Sequence, residues 1–500
     1  MRSLSEPKIR ELIASAPLDP TLVSIIRTEE RGSTASGGLA RRDTHRKMSP
    51  DYVLYWMQKA QRTIDNPALD LALHCANTLD LPLLVLFVIV PAPGAAYPGA
   101  GPQHYEWMLT GVQECETDLR ERGIGFLAVR GEPVEKVLLY AKNAALIVMD
   151  EGKLREELRW RTSIVESPSC PPALAVETEA IIPPRLVADH VLWSAAACRA
   201  RLLRLLSKSL RYQKASRRDA AQGKLEAAHA MTCGSVPASG ELTAWQTYTN
   251  TSTVATQHFR QVPGQSAALR RFREFLDTGG ESEASGLTRY ARLRNDPCAS
   301  AQSDMSPYLH FGNVASRHLA LLCLERSEDE ASPYLEELIV RRELAFNFVL
   351  YCEGYDDFEG AVPDWAKASL REGSARADVY PPSLLEKAET DDPYWNAAQT
   401  ELLVTGKMHG YMRMYWGKQI LSWFADPAIA FRIALDLNNR YSLDGRDPNG
   451  YAGVAWCFGR HDRPWPNHNL FGMVRAMTRG GLRRKFDVDS YVAKMQALRS

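Results

Sequence analysis

Four short apolar runs follow one another in the first third of the chain, each bounded by polar or turn-forming residues. They span residues 53–57, 82–90, 124–131 and 145–150. Continuous apolar runs of this length are typical of strands that are buried on both faces of a sheet. Helical periods lie between these runs, at 67–79, 103–122 and 133–143. Strands that alternate with helices predict an α/β domain built on a parallel, doubly wound sheet.

The segments on either side of this alternation lack a regular apolar period. Residues 1–48 are rich in Gly, Ser, Thr and Arg, which predicts a flexible tail, with a basic arm that contacts nucleic acid as the alternative. Residues 191–265 are polar and rich in Ala, Ser and Thr, which predicts an inter-domain linker with a helical first part. The predicted α/β domain therefore occupies residues 49–190.

From residue 266 to residue 500, helical periods dominate and β-rich runs nearly vanish. This half is predicted to be an all-α domain. No GxGxxG or GxxxxGK[ST] loop follows any of the predicted strands. The sequence therefore predicts neither a standard dinucleotide site nor a P-loop in the α/β domain.

Composition and charge exclude several classes of protein. The 500 residues contain 60 Lys+Arg and 60 Asp+Glu, which excludes a histone-like polycation but allows a local basic patch. The 9 cysteines form no CxxC pair, so neither a metal site nor a disulfide framework is predicted, and a reducing compartment is favoured. The longest apolar run, 81–90, is shorter than the ~20 residues that span a bilayer, and the N-terminus lacks a signal-peptide core. We therefore expect a soluble intracellular protein of the cytoplasm or nucleus.

Charged and aromatic residues of the helical half stand in spacings with chemical meaning. Glu337 and Arg341 lie four residues apart, a spacing that pairs opposite charges on one face of an α-helix. Arg413 lies in an apolar helical segment and needs a carboxylate partner if it is buried. Trp416 and Trp423 are seven residues apart and would share one face of that helix.

Two further segments favour turns and helix starts. Ser306 precedes Pro307, which is typical of the first turn of a helix, where free backbone N–H groups can bind a phosphate. Residues 444–450, DGRDPNG, form a polar stretch that predicts a loop. Taken alone, neither segment indicates more than a helix cap and a turn.

Taken together, these segments resemble the DNA photolyase/cryptochrome superfamily and, within it, the class II cyclobutane-pyrimidine-dimer photolyases. The resemblance rests on YARLRNDP, SPYLHFG, EELIVRREL, DPYWNA, TGKMHGYMRMYW, LNNRYSLDGRDPNGY and RRKFDV, in that order. It covers residue 51 to the end and is strongest after residue 285. It implies an α/β antenna-type domain followed by a linker and a helical domain that binds FAD and DNA. The implied activity is light-driven repair of pyrimidine dimers by electron transfer from photoexcited reduced FAD to the flipped-out dimer.

The resemblance also implies roles for residues around the flavin. Arg413 and Asp444 would form a buried pair beside the flavin, and Asn438 would face flavin N5. Gly445 and Arg446 belong to the same loop. The residues expected to hold the FAD phosphates are Tyr290, Ser303, Asp304, Met305 and Ser306.

A second group of residues is implied in electron transfer and in substrate binding. Glu337 would hydrogen-bond the dimer carbonyls, while Met414 and Trp456 would pack against the flipped bases. The residues expected to carry electrons to the flavin are Trp395, Trp416 and Trp423. Indoles suit this task because their low oxidation potential lets a hole pass between them.

The DNA-binding residues include one departure from the family pattern. Arg341 stands where some relatives have a Trp, so Trp456 alone would clamp the dimer, although an arginine could stack on a ring or reach a phosphate. A basic patch near the end of the chain is expected to contact DNA phosphates, with a solvated helix end as the alternative. Its candidate residues, with Arg463 before them, are Arg475, Arg479, Arg483, Arg484 and Lys485.

The antenna segment departs further. Residues 177–190, ETEAIIPPRLVADH, lack the acidic-His-Asn-Pro-Cys pattern of a deazaflavin site, which argues against a deazaflavin-type antenna chromophore. Two rival functions are a cryptochrome-like blue-light photoreceptor and a flavin-free DNA-binding scaffold. The presence of Glu337, Met414 and Trp456 favours repair. No obligate protein partner is indicated, and we expect a monomer that acts on dimer-containing DNA.

Overall fold

The apolar runs of the first third form the centre of a mixed, six-stranded sheet. The computed structural model describes residues 4–28, 50–91, 98–222, 261–278, 284–372 and 376–499. The strands are β1 (Val23–Arg27), β2 (Tyr52–Met57), β3 (Leu83–Ile89), β4 (Gly125–Arg130), β5 (Ala144–Asp150) and β6 (Ala173–Val176). Their order is β1-β6-β5-β2-β3-β4, and β1 pairs antiparallel with β6 whereas all other pairs are parallel.

Helices cover both faces of this sheet. They are α1 (Glu6–Ser15), α2 (Pro67–Leu79), α3 (Pro102–Glu121), α4 (Pro133–Ala141), α5 (Arg155–Glu166) and α6 (Pro184–Val187). Alternate residues of β2 belong to different cores: Tyr55 and Met57 pack on one face, and Leu54 and Trp56 pack on the other. Because both faces are buried, the strands need apolar residues at every position, which is why they appear as continuous runs in the sequence.

The start of the chain differs from the predicted flexible tail. Residues 6–15 form α1, whose Ile9, Leu12 and Ile13 are buried in the core beneath the sheet. After a short 3₁₀ turn at Pro20–Leu22, β1 adds an edge strand. The apolar side chains are few but well placed, and Pro7 lies in the first helical turn, where proline is tolerated. The remainder of the predicted tail, 29–48, lies outside the described residues.

The second half of the chain is helical, as predicted. It follows the linker helix α7 (Ala195–Gln222), which confirms the helical first part of the linker; residues 223–260 lie outside the described part. Between residues 261 and 499, the described ranges contain only one isolated bridge, between His468 and Gly472. The elements are α8 (Gln265–Asp277), α9 (Gly286–Leu293), α10 (Ser306–His310), α11 (Ser316–Arg326), α12 (Glu328–Leu335), a π-helical turn (Glu336–Arg341), α13 (Arg342–Tyr351), α14 (Phe358–Ala361), α15 (Asp364–Glu372), α16 (Pro382–Glu386), α17 (Pro393–Thr405), α18 (Gly410–Ser422), α19 (Pro427–Tyr441), α20 (Pro448–Cys457), α21 (Arg479–Lys485) and α22 (Val488–Arg499).

Three of these helices begin with the same local signal, an aspartate followed by proline. The side chains of Asp392, Asp426 and Asp447 each accept a hydrogen bond from the backbone N–H two residues later, at the start of α17, α19 and α20. The aspartate satisfies a free N–H group, and proline has no N–H group that would need one. None of the helices in the described ranges is long and apolar enough to cross a membrane.

The two halves meet through buried polar contacts. Arg62 donates to the carbonyl of Gly312 at 3.0 Å and to that of Thr178 at 2.8 Å. Gly312 has a φ of +69°, and a Cβ at this position would lie 1.7 Å from the carbonyl oxygen of Lys59, so only glycine fits here. Glu343 of α13 accepts hydrogen bonds from the backbone of Ile181 and Ile182 at 2.8 and 3.3 Å. These contacts hold the helical half in a fixed position against the sheet.

Candidate active site

A deep cavity of about 430 Å³ lies inside the helical half. This volume is within the range of about 300–1,000 Å³ that is common for ligand pockets. Its walls come from α9, α10, the π-helical turn, α18 and α20. Aromatic and apolar side chains alternate with charged ones, and the lining includes Tyr290, Ser303, Met305, Ser306, Tyr334, Glu337, Lys407, Arg413, Met414 and Asp444.

Two glycines help to keep this cavity open. Gly410 and Gly453 both line it, and a Cβ added to either would meet no atom within 4 Å. Glycine inside or at the start of a helix is costly relative to alanine, by roughly 0.5–1 kcal/mol. The part of the cavity next to Gly410 and Gly453 is therefore empty enough to hold a group larger than a methyl.

Arg413 and Asp444 face each other across one wall, with 3.5 Å between Nη2 and Oδ1. Arg413 also donates to Asn438 Oδ1 at 3.2 Å and to the hydroxyl of Ser442 at 3.3 Å. Burial alone would raise the pKa of Asp444, but Arg413 and the hydroxyls of Ser442 and Ser306 hold it below its usual value. The carboxylate is thus charged at neutral pH, and the structure brings together three residues that the sequence placed beside the flavin.

The neighbouring loop positions Gly445 and Arg446 differently. A Cβ on Gly445 would lie 2.9 Å from the carbonyl oxygens of Asn438, Asn439 and Ser442, so the loop packs closely only with glycine. Arg446 has a φ of 61°, and its guanidinium donates to the carbonyl of Asn439. Its side chain lines the cleft between the two halves instead of the cavity of the helical half. The contact of Arg446 with the cofactor stays a prediction from the sequence.

The SPYLHFG region supplies the opposite wall. Ser303 is hydrogen-bonded to the hydroxyl of Tyr334 at 2.9 Å, and both line the cavity with Tyr290. Asp304 turns away, with a φ of 60°, and forms ion pairs with Arg271, at 2.8 Å, and with Lys407. Asp304 lines an adjoining cavity of about 400 Å³, which shares Lys407 with the first one.

Lys407 is a site residue that the sequence analysis missed. It lines both cavities, and burial, together with the nearby Arg271 and Arg413, lowers its pKa to about 8 although Asp444 acts in the opposite direction. An anionic group in the cavity would favour the charged form of this amine. The only signal in the sequence was its position inside TGKMHGYMRMYW.

A row of tryptophans leads from the cavity to the surface. Trp416 shares a small void with the cavity residue Arg413 and is 2% exposed. Its ring stacks on Trp395 with centroids 6.2 Å apart and planes 7° apart. Trp395 in turn contacts Trp423 edge-on at 5.3 Å. The structure thus brings together the three tryptophans that the sequence analysis selected, from a fully buried position to a half-buried one.

Tyr380 continues this row and was missed. Its ring lies 5.0 Å from that of Trp423, and its hydroxyl is 3.2 Å from a carboxylate oxygen of Asp391. A phenol beside a carboxylate can give up its proton when it loses an electron. Tyr380 stands 15 residues before Trp395 in a proline-rich stretch without a motif, so the sequence alone gave no indication of its position.

At the mouth of the cavity, the expected Glu337–Arg341 spacing is changed by the π-helical turn. Arg341 Nε donates to Glu336 Oε1 at 3.3 Å, whereas Glu337 lies 3.9 Å from Arg294 and remains 43% exposed at the cavity edge. The guanidinium of Arg341 stands 5.1 Å from the ring centroid of Trp456. Met414 lines the floor of the cavity. Glu337 and Met414 thus line the cavity, whereas Trp456 contacts Arg341, which follows Glu337 by four residues.

Exposed arginines surround a further tryptophan on the same half. Arg463 and Arg475 lie over the ring of Trp465 at 5.6 and 5.1 Å. Arg483 and Arg484 are exposed on α21, where Arg483 is 3.8 Å from Asp489. Arg460 points inward instead, over the ring of Phe348 at 4.8 Å. The basic residues are available to a polyanion, with the exception of Arg460.

A second cleft lies between the sheet and the helical half. It is lined by aromatic and charged residues, among them Trp56, His104, Trp160, His310 and Arg446, and its volume is about 80 Å³. This is well below the roughly 300 Å³ of the smallest common ligand pockets. The argument against a deazaflavin-type antenna chromophore stays a prediction from the sequence.

The sequence is similar to a family model and to known proteins that share one description. The family model described as DNA photolyase matches residues 53–187. A deoxyribodipyrimidine photo-lyase of Methanothermobacter thermautotrophicus is 40% identical over 454 residues, which cover 89% of this chain and 95% of that protein. A protein of the same name from Arabidopsis thaliana is 33% identical over 460 residues, 89% of either chain.

Solved structures are similar in fold at lower identity. A bacterial class III photolyase from Agrobacterium tumefaciens superposes with a TM-score of 0.68 at 18% identity, over 91% of this chain and 88% of the other. A cryptochrome from Synechocystis superposes with a TM-score of 0.65 at 16% identity, over 86% of both chains. At these identities the two structures support the fold alone.

Proposed function

The chain belongs to the DNA photolyase family, and from this premise we propose that it is a class II enzyme that repairs cyclobutane pyrimidine dimers in DNA with light. Its enzyme class is that of the deoxyribodipyrimidine photo-lyases. The observation that carries the finer proposal is the row Trp416–Trp395–Trp423, which starts at the wall that holds Arg413 and ends near the surface. Contacts between successive indoles of this kind can serve as an electron path, which supports a redox cofactor in the cavity.

The cavity fits a flavin dinucleotide, which is the cofactor that the family implies. Tyr290, Met305 and Met414 offer apolar and aromatic surface, while Lys407 provides positive charge for a pyrophosphate. Gly410 and Gly453 leave the room that a large group would fill. When bound, reduced FAD absorbs blue light and supplies the single electron that splits the cyclobutane ring.

Three polar residues at the cavity wall would bind and orient the flavin. Arg413 is held between Asp444 and Asn438, so its charge is fixed at the cavity wall, and these three residues would hold the flavin ring. Asn438 is 2% exposed and offers an amide next to this charge. Because both partners of the ion pair are largely shielded from water, the attraction between Arg413 and Asp444 is stronger than in an exposed pair, which fixes the orientation of the guanidinium.

The three tryptophans would pass electrons from the protein surface to the cofactor in the cavity. Trp395 donates its indole N–H to the carbonyl of Trp416 at 3.0 Å, and Trp416 donates to Gln399 at 2.9 Å, which fixes both rings in stacked positions. A hole that reaches Trp423 can move on to Tyr380, whose hydroxyl lies beside Asp391. The path ends where solvent reductants have access.

Substrate binding falls to the residues at the cavity mouth and to the basic face. Glu337 can donate a hydrogen bond to dimer carbonyls when protonated, Met414 offers apolar contact in the cavity, and the half-buried Trp456 offers a ring to bases that have left the helix. Arg463, Arg475, Arg483 and Arg484 are exposed and suited to DNA phosphates, which makes the affinity depend on salt.

A repair assay on defined oligonucleotides tests this proposal. The purified full-length protein should be yellow, and under blue light it should restore a cyclobutane thymine dimer to two thymines, with no conversion in the dark. A matched oligonucleotide with a (6–4) photoproduct serves as the control and should stay unchanged. Photoreduction without repair would favour the photoreceptor, and a colourless protein that binds DNA would favour the scaffold.

A further inference from the structure

The π-helical turn places two charged residues side by side that an α-helix would separate. In this turn the N–H of Arg342 donates to the carbonyl of Glu337, five residues earlier, so residues five apart lie nearly over one another. Arg341 Nε therefore reaches Glu336 Oε1 at 3.3 Å. Turns of this kind are often found at functional sites.

Glu336 is fixed from the other side by the linker helix. Arg199 of α7 donates from Nε to Oε2 at 3.0 Å and from Nη2 to Oε1 at 2.5 Å, a forked arrangement that holds the carboxylate in one orientation. Burial raises the pKa of Glu336, but Arg199 and Arg341 outweigh it and hold the pKa below its usual value. The carboxylate is charged and serves as a bridge between two arginines.

Arg341, one of the two arginines bound to Glu336, also contacts the ring of Trp456. Its guanidinium lies 5.1 Å from the centroid of the indole, within the range of a cation–π contact. The described residues provide one hydrogen-bond acceptor for Arg341, at Nε, and the side chain is 36% exposed. A guanidinium has five N–H donors, so most of them remain available to a ligand at the cavity mouth.

Trp456 also contacts a histidine, His461, that is hydrogen-bonded to the segment before α7. His461 lies edge-on to Trp456 at 5.4 Å, and its Nδ1 is 3.3 Å from the carbonyl of Trp193. Burial and the nearby Arg460 lower the pKa of His461 to about 3, so the ring is neutral and donates this hydrogen bond. Trp193 and Arg199 both belong to the segment that starts α7, so one short segment fixes both ends of the stack.

Resting on the proposed repair function, we propose that Arg341 and Trp456 act as one stacked unit of the DNA site, in which Arg341 binds a phosphate beside the dimer. Glu336 and Arg199 are positioning residues: they hold the guanidinium against the indole, so that DNA meets a preformed surface. The linker helix thereby becomes part of the substrate site, although none of its residues needs to contact the dimer.

Binding measured in the dark tests this, because dimer-containing DNA is then not consumed. The holoprotein is titrated into a fluorescent duplex with one thymine dimer and into the undamaged duplex, at several salt concentrations. Arg341→Met should weaken dimer binding about tenfold and lower the salt slope by about one, as expected for one lost phosphate contact. Repaired dimers per absorbed photon at saturating enzyme should fall much less.

Glu336→Gln separates positioning from simple charge. Removal of a negative charge from a DNA-binding face strengthens binding to any DNA by electrostatics alone. Positioning predicts the opposite sign: dimer binding should weaken about three- to tenfold, while binding to undamaged DNA does not weaken. In the Arg341→Met background, Glu336→Gln should cause no further loss, because the residue that it positions is absent. Arg204→Met, which removes an exposed charge from the same helix, serves as the matched control.

If Glu336→Gln loosens the contact between α7 and the π-helical turn, a double variant that exchanges Arg199 and Glu336 still tests the proposal. Arg199→Glu with Glu336→Arg restores the tie between α7 and the π-helical turn but places a positive charge beside Arg341. The proposal expects wild-type flavin content and melting temperature together with weak dimer binding. Restored dimer binding in the swapped protein, or wild-type binding in Glu336→Gln, would overturn it. If the wild-type protein itself does not prefer dimer-containing DNA, the repair function fails instead.

Discussion

Arg341 is bonded to Glu336, at 3.3 Å, and not to the residue four positions before it, Glu337. The π-helical turn causes this choice, and its effect is to leave Glu337 at the cavity mouth with Arg294 as a distant partner at 3.9 Å. A carboxyl group that is not engaged by Arg341 can turn toward a ligand. The geometry thus removes the simplest alternative to a role of Glu337 in repair.

Substitution of Glu337 should therefore reduce repair in a graded way. Glu337→Gln keeps a hydrogen-bond donor for the dimer carbonyls, whereas Glu337→Ala removes it, a loss of about 1.5–3 kcal/mol for a bond to a charged group. Repaired dimers per absorbed photon should fall modestly for Gln and several-fold for Ala, with unchanged flavin content. Glu325→Ala, an exposed change on α11, is the control. Equal yields in wild type and Glu337→Ala would remove Glu337 from the mechanism.

Replacement of single tryptophans should interrupt reduction of the cofactor but not repair. Trp416→Phe, Trp395→Phe and Trp423→Phe should each fold and bind flavin, because phenylalanine retains most of the apolar contact. Photoreduction of the oxidised flavin, followed by absorption, should be lost or slowed at least tenfold. Chemically pre-reduced enzyme should still repair dimers. A variant with wild-type photoreduction would show that its tryptophan lies off the path.

Loss of Asp444 should release the flavin. Asp444→Ala leaves Arg413 without its carboxylate in a shielded cavity, and breaking such a pair typically costs about 3–5 kcal/mol. We expect little soluble, flavin-loaded protein, measured by the ratio of flavin to protein absorbance. Asp444→Asn, which keeps the shape and loses the charge, should be intermediate. A stable Asp444→Ala protein with full flavin content would contradict this role of the pair.

The pH dependence of stability should contain a contribution from Glu343. Burial raises the pKa of this group to about 8, although the backbone N–H groups of Ile181 and Ile182 act in the opposite direction. Because the folded protein binds this proton more tightly than the unfolded chain, stability is highest below the unfolded pKa and falls as the pH rises toward 8. Glu343→Gln cannot ionise, so its melting temperature should fall less between pH 5 and pH 8 than that of wild type. Parallel curves would assign the wild-type pH dependence to other groups.

Much of the sheet could be predicted because burial on both faces forces an uninterrupted apolar sequence. The predicted run 53–57 differs from β2, Tyr52–Met57, by one residue. In contrast, β6 consists of only four apolar residues, Ala173–Val176, and the pattern around it is too short to indicate a strand. The helix and strand before residue 28 were missed for the same reason, since few apolar residues carry them.

The site could be predicted where a residue's chemistry demands a partner. Arg413 in an apolar helix required a carboxylate, and Asp444 is the residue that the structure places there. The alternative of a Glu337–Arg341 pair is not formed, because the π-helical turn, which has no clear sequence signal, changes which side chains meet. The position of Arg446 could not be predicted either, since its backbone at φ 61° and its side chain in the other cleft have no signal in the sequence.

The antiparallel strand β1 has a consequence for how the protein behaves among copies of itself. It occupies the outer side of β6, where the backbone N–H and C=O groups would otherwise stay unpaired. An open strand of this kind is a template for a neighbouring molecule. A chain shortened to begin at residue 50 would retain every residue of the flavin cavity and of the tryptophan row, yet it should associate and precipitate at concentrations where the full chain stays dispersed. Residues 6–27 thus cover the edge of β6 and, through Ile9, Leu12 and Ile13, part of the apolar core beneath the sheet, so we expect their removal to promote aggregation although they do not line the cavity of the helical half.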